Sequence, residues 1–167
     1  MGVRLMETQQ QSEKTPVAIA FPSIEWFHEL ARLMRENRAI HEHLGFIDCV
    51  ARFTVLDGGP AGKPWSAIVA FEEFEAVEVT EDRGGNDERA DFTLEASLAS
   101  WHEMIANIAQ GRGRPDLTHT INYLSHMGTP FRLLSDDPLR RDLFFRYNQS
   151  LQEFFNASAG LRTIFGE

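Results

Sequence analysis

At Ala96 to Leu98 the hydrophobic period of the chain changes from two residues to about 3.6. Upstream, Ile47, Cys49, Ala51, Phe53 and Val55 face one way while Asp48, Arg52 and Thr54 face the other, the pattern of a half-buried strand over 46–57. The turn sequence DGGPAGKP follows, and Trp65–Phe71 and Phe74–Glu81 read as two more strands joined tightly at Glu72-Glu73. A fourth strand is predicted where Ala90, Phe92, Leu94 and Ala96 alternate with Asp91, Thr93 and Glu95. Downstream, Leu98, Trp101, Met104, Ile105 and Ile108 have helical spacing, with Ser100 and Glu103 as a capping box and Gly111 as the stop. Strands gathered first and helices afterwards constrain the chain to an α+β fold, with helices on one face of an antiparallel sheet of about five strands.

The flanks fit that arrangement. Ser23 is placed to cap a helix from Ile24, with Phe27, Leu30, Ala31 and Met34 on its buried face and Gly45 at the end of the segment. Leu117, Ile121 and Leu124 suggest a short helix, and Phe131–Leu134 a fifth strand. Asp136 or Asp137 caps the last helix, with Pro138 in its first turn. Residues 1–17 are polar and read as a disordered leader; 18–167 read as a single domain, long enough to bury a core.

The last helix carries RRDLFFRYNQSLQEFF, residues 140–155. Set on one continuous helix, Leu143, Phe144, Tyr147, Leu151, Phe154 and Phe155 share a broad stripe. Phe145 points away from it, which calls for a second packed element, a partner chain such as a second copy, or a bound apolar molecule.

Composition removes several function classes. A formal net charge of -9 repels phosphate backbones, so nucleic acid is not an expected partner, and it disfavours anionic membranes except at a local basic patch. Cys49 is the only cysteine, so no internal disulfide forms, and its apolar register makes it a small core residue. No run of about 18 apolar residues occurs, so no stable membrane insertion is expected and the cytoplasm is the default location.

Reactive constellations are absent. DGGPAGKP has the wrong spacing for a phosphate loop, with Pro64 where a Ser or Thr would stand. In HEHLG, His41 and His43 point about 200° apart on a helix, so no metal is expected. Neither a cofactor motif nor a nucleophile elbow is present. Arg52 and Asp48 read as structural charges that pair with each other or line a polar edge.

The stretch ADFTLEASLASWHEMIANIAQG, residues 90–111, resembles a recurrent pattern of the sterol carrier protein type-2 family: an alternating strand, a turn, an early helical tryptophan and a terminal glycine. FRLLSDDPLRRDLFFRYNQSLQEFF, residues 131–155, is similar to the strand and C-terminal helix of its bacterial lipid-carrier relatives. The resemblance covers roughly residues 21–157. It departs from the family in lacking a basic, glycine-flanked strand before the last helix, which weakens the case for sterol specificity, and in lacking a peroxisomal C-terminus.

What the resemblance implies is a small soluble protein that binds or transfers a lipid-like apolar ligand: a fatty acid, an acyl-CoA, a sterol or a similar molecule. The ligand would lie in a tunnel between sheet and helices, without a cofactor. The residues expected there are Phe53, Val69, Phe71, Phe92, Trp101, Ile105, Phe144, Tyr147, Leu151 and Phe154, with the C-terminal helix as cover. The alternative is a small cofactor-independent isomerase or cyclase, for which His102, His119, His126 and Asp48 are the available bases.

Overall fold

The computed structural model describes residues 16–84 and 88–166, so most of the expected leader lies outside the described residues. The elements begin in the order β1 (Ala18–Phe21), α1 (Ile24–Glu36), α2 (Arg38–Leu44), β2 (Ile47–Val55), β3 (Trp65–Glu73), β4 (Glu75–Glu81) and β5 (Phe92–Ala96). Then come α3 (Leu98–Gln110), α4 (Ile121–His126), β6 (Arg132–Leu134), α5 (Pro138–Arg146), α6 (Asn148–Asn156) and β7 (Arg162–Phe165). The fold is α+β. Its main sheet has five strands in the order β4-β3-β2-β5-β6, and β1 and β7 form a separate pair. No helix among the described residues is long and apolar enough to cross a membrane.

Alternation sets the inner face of the sheet. Ala51 stands beside Val69 and Phe92, and Phe53 beside Ala67 and Leu94, all of them buried. Alanines next to large side chains leave room for rings arriving from the helices. Each helix over this face uses that room: Phe27 of α1 stacks on Phe53 at 5.8 Å, and Phe154 of α6 meets Phe71 edge-on at 5.2 Å. Phe144 of α5 meets Phe92 at 5.6 Å. Trp101 of α3 donates its indole N–H to the Thr54 carbonyl at 3.0 Å, which satisfies the one polar atom of a fully buried ring.

The structure corrects several local expectations. β5 lies parallel to β2, whereas β2–β3, β3–β4 and β5–β6 are antiparallel, so the sheet is mostly and not wholly antiparallel. Ser97, not Ser100, caps α3 by accepting from the Ser100 N–H, so the expected capping box of Ser100 and Glu103 does not form. The first helical segment breaks at Asn37 (φ -92°, ψ 23°), and Gly45 ends its second part at φ 105°, a conformation that favours glycine. The last helix breaks at Tyr147 (φ -109°, ψ 14°) into α5 and α6. Asp137 rather than Asp136 caps α5, accepting from the Leu139 N–H at 2.8 Å.

Nothing in the sequence pattern marks the β1–β7 pair as strands. β1 and β7 run parallel, Ala18 beside Arg162 through Phe21 beside Phe165. Phe165 stacks on His102 with ring centres 3.8 Å apart and meets Phe21 at 5.8 Å. The indole N–H of fully buried Trp26 donates to the Thr163 hydroxyl at 3.0 Å. Thr163→Val keeps the shape and removes that acceptor. The expected result is a loss of about 1–3 kcal/mol in denaturant-unfolding free energy, because the indole N–H is left without a partner.

Candidate ligand site

The structure brings all ten residues of the expected site together in one buried cluster. Phe53, Val69, Phe71 and Phe92 project from the strands; Trp101 and Ile105 come from α3, Phe144 from α5, Leu151 and Phe154 from α6. Tyr147, at the break between α5 and α6, is 9% exposed and the least covered of the ten. Their own rings occupy the layer between sheet and helices: Phe53 lies 6.5 Å from Phe154 and 6.4 Å from Trp101 between ring centres.

The edge of this layer reaches the surface beside the first turn of α6. Two grooves meet there, sharing Leu44, Asn148 and Gln149. One, of about 440 Å³, is lined also by Thr120, Ile121, Asn122, Gln152 and Glu153. The other, of about 300 Å³, is lined also by Phe46, Phe145, Arg146, Tyr147 and Ser150. Ile121 and Tyr147 belong to the buried cluster, so the grooves border the core itself. Apart from Glu153 and Arg146 their polar lining is amide and hydroxyl. Among the described residues the Tyr147 hydroxyl has no hydrogen-bond partner. These groove residues escaped sequence reasoning, since Asn148, Gln149 and Gln152 look like an ordinary solvent face.

A third depression, about 450 Å³, lies on the outer face of the sheet and is polar, with Arg52, Thr93, Ser135, Asp136 and Arg140 in its walls. Arg52 pairs with Asp82 at 2.9 Å rather than with Asp48, and Arg140 pairs with Asp91 at 3.0 Å.

The available bases lie away from the buried layer. Asp48 and His126 are exposed. His102 is stacked against Phe165. His119 has both ring nitrogens against carboxylates, Nδ1 2.6 Å from Asp116 and Nε2 3.1 Å from Glu103. The hydrogen bond that His119 donates to Asp116 holds the His119 pKa above its ordinary value, and the same bond holds Asp116 down to about 2. Burial pushes the Cys49 thiol far above the usual range, which makes it inert as a nucleophile. Among the described residues no group of three His, Cys, Asp or Glu could hold a metal ion.

His41 is the exception to the exposed pattern. It is 2% exposed on α2, and its Nδ1 has no hydrogen-bond partner. Burial lowers its pKa, and nearby Glu153 opposes that only in part. Below about pH 6.5 the unfolded chain therefore takes up a proton at His41 that the folded chain refuses, and stability falls as pH falls from there toward the lowered folded value. His119 has the opposite sign: its contribution is full below about pH 6.5 and is lost as pH rises through the raised folded value. Melting temperature measured against pH should therefore lose part of its acid-side decline in His41→Gln, and part of its decline above neutrality in His119→Gln.

No protein-family profile and no curated protein matches the sequence. Solved structures do. The crystal structure of sterol carrier protein 2 superposes with a TM-score of 0.59 at 19% identity, covering 81% of this chain and 94% of that one. The solution structure of a conserved hypothetical protein from Thermus thermophilus, described as a suspected sterol carrier protein, superposes with a TM-score of 0.58 at 18% identity, covering 82% and 86%. With the mixed five-strand sheet, its helix-covered inner face and the overlap across most of both chains, the fold of this protein is that of sterol carrier protein 2.

Proposed function

We propose that the protein is a cytoplasmic carrier for one amphipathic, lipid-like molecule, with the apolar part held between sheet and helices and the polar end in the groove at the α5–α6 break. The observation that carries this reading is Tyr147. Its ring is part of the buried cluster, it lines the groove, and its hydroxyl has no protein partner among the described residues. A hydroxyl at the border of an apolar layer is suited to meet a ligand's polar end. The names of the structural neighbours agree in kind with this reading.

The layer is filled by its own rings, so a ligand enters as α5 and α6 part at the Tyr147 break and Phe154 withdraws from Phe71. About ten CH₂ groups removed from water, at about 0.8 kcal/mol each, supply the free energy of micromolar binding, less the cost of parting the helices. The groove lining bears on the head group. A coenzyme A moiety carries several phosphates, and of the groove residues only Arg146 is a cation. Uncharged or singly charged heads, such as a hydroxyl or one carboxylate, fit the amide lining better.

Displacement of a fluorescent fatty acid, with native mass spectrometry of the freshly purified protein, tests the proposal. Wild type should arrive with a bound lipid or take one up at micromolar concentration. Tyr147→Phe should bind the probe about 1 kcal/mol more weakly, roughly fivefold, with its melting temperature near wild type. A protein that arrives empty and displaces nothing at tens of micromolar refutes the carrier. Unchanged affinity in Tyr147→Phe refutes the assignment of the polar end to Tyr147.

A further inference from the structure

Phe46 is 54% exposed and Phe145 is 44% exposed, and the two rings line the same groove. Ile40, 47% exposed, stands one helical turn from Leu44 of that groove and extends the apolar rim. The sheet order fixes what flanks these rings. β2, which follows Phe46, has β3 and β4 on one side and β5 on the other, and α5 packs against β5.

On the β3–β4 side, Asp48, Glu72 and Glu75 stand abreast across three strands, followed by Glu73 at the turn. None of the four has a cationic partner among the described residues. Arg38, which lies over Phe74 beside that turn, is already paired with Glu42. On the α5 side, Arg141 lies over the Phe145 ring and Arg146 over the Tyr147 ring, each 5.6 Å from the ring centre. Neither arginine has a carboxylate partner among the described residues; Asp142 and the cap Asp137 are the other charges beside them on α5.

Like charges directly abreast on a sheet repel, so the carboxylate row is a liability in the isolated chain. An anionic bilayer does not suit this rim, because the row and the net charge of -9 both repel it. A second copy does suit it. A two-fold axis through the Phe46–Phe145 groove carries the α5 flank of one copy onto the acidic β3–β4 flank of the other, twice over. We infer that the protein forms a two-fold dimer through this rim, with Phe46 and Phe145 at its centre and Arg141 and Arg146 of each copy facing Asp48, Glu72 and Glu75 of the other. The rim includes the groove that the proposed function gives to the ligand's polar end, so dimer and ligand compete for it.

Sedimentation equilibrium of the full chain tests it. The expected result is a reversible dimer that weakens as salt is raised, and that Phe145→Ala or Phe46→Ala weakens at least about tenfold. The double variants Arg141→Glu/Arg146→Glu and Glu72→Lys/Glu75→Lys should each be monomeric and, by circular dichroism, folded. Mixed in equal amounts they should recover a dimer, because one then presents two acidic flanks and the other two basic ones. A chain that stays monomeric at hundreds of micromolar overturns the inference. So does a dimer indifferent to these substitutions, or a mixture that does not reassociate. Sedimentation of the wild type with phosphatidylserine vesicles would overturn the exclusion of an anionic bilayer.

Discussion

Three helices meet on the ring of Phe53. It stacks on Phe27 of α1 at 5.8 Å, lies edge-on to Trp101 of α3 at 6.4 Å, and touches Phe154 and Phe155 of α6 at 6.5 and 5.0 Å. Its neighbour across the ladder is Ala67, small enough to admit those rings. Aromatic pairs of this kind gain about 0.5–1.5 kcal/mol beyond the area they bury, and several share this one side chain. Phe53 is thus a surface that α1, α3 and α6 share, while α6 and α5 rest also on Phe71 and Phe92.

The two faces of the sheet answer different demands. Inside, β2 is tied to a helix through the Thr54 carbonyl, which receives the Trp101 N–H. Outside, buried hydroxyls pair with each other, as Thr54 does with Ser66 at 2.7 Å, and Arg52, Arg132 and Arg140 each lie against a carboxylate. Buried polar atoms among the described residues are thus nearly all satisfied. His41 and Ser158 are the two side chains with an atom left over, and both lie among the helices rather than on the sheet.

Much of this was written in the spacing of the chain. The alternation of 47–55 and 92–96 located two strands and their buried faces, and the aromatic stripe of 143–155 named most of the ring layer. Alternation is blind to direction, however, so nothing in residues 92–96 distinguished parallel from antiparallel pairing with β2. The breaks at Asn37 and Tyr147 contain neither glycine nor proline; tertiary packing produces them, and local propensity does not announce them. Ser97 and Ser100 are equally good caps by type, and only the backbone decides between them. The groove was invisible because its amide lining becomes distinctive only when the helix breaks beside it.

The pairing of β1 with β7 gives the molecule a temporal order. During synthesis β1 emerges early and finds no strand beside it until Arg162–Phe165 has left the ribosome. Trp26 therefore waits for a hydroxyl 137 residues further along the chain, and Phe21 waits with it for Phe165. A contact between residues so distant forms late, after the entropy of the intervening loop has been overcome. The central sheet can assemble on the nascent chain, but its aromatic end closes only once β7 arrives, and a product terminated before that strand would carry the end open.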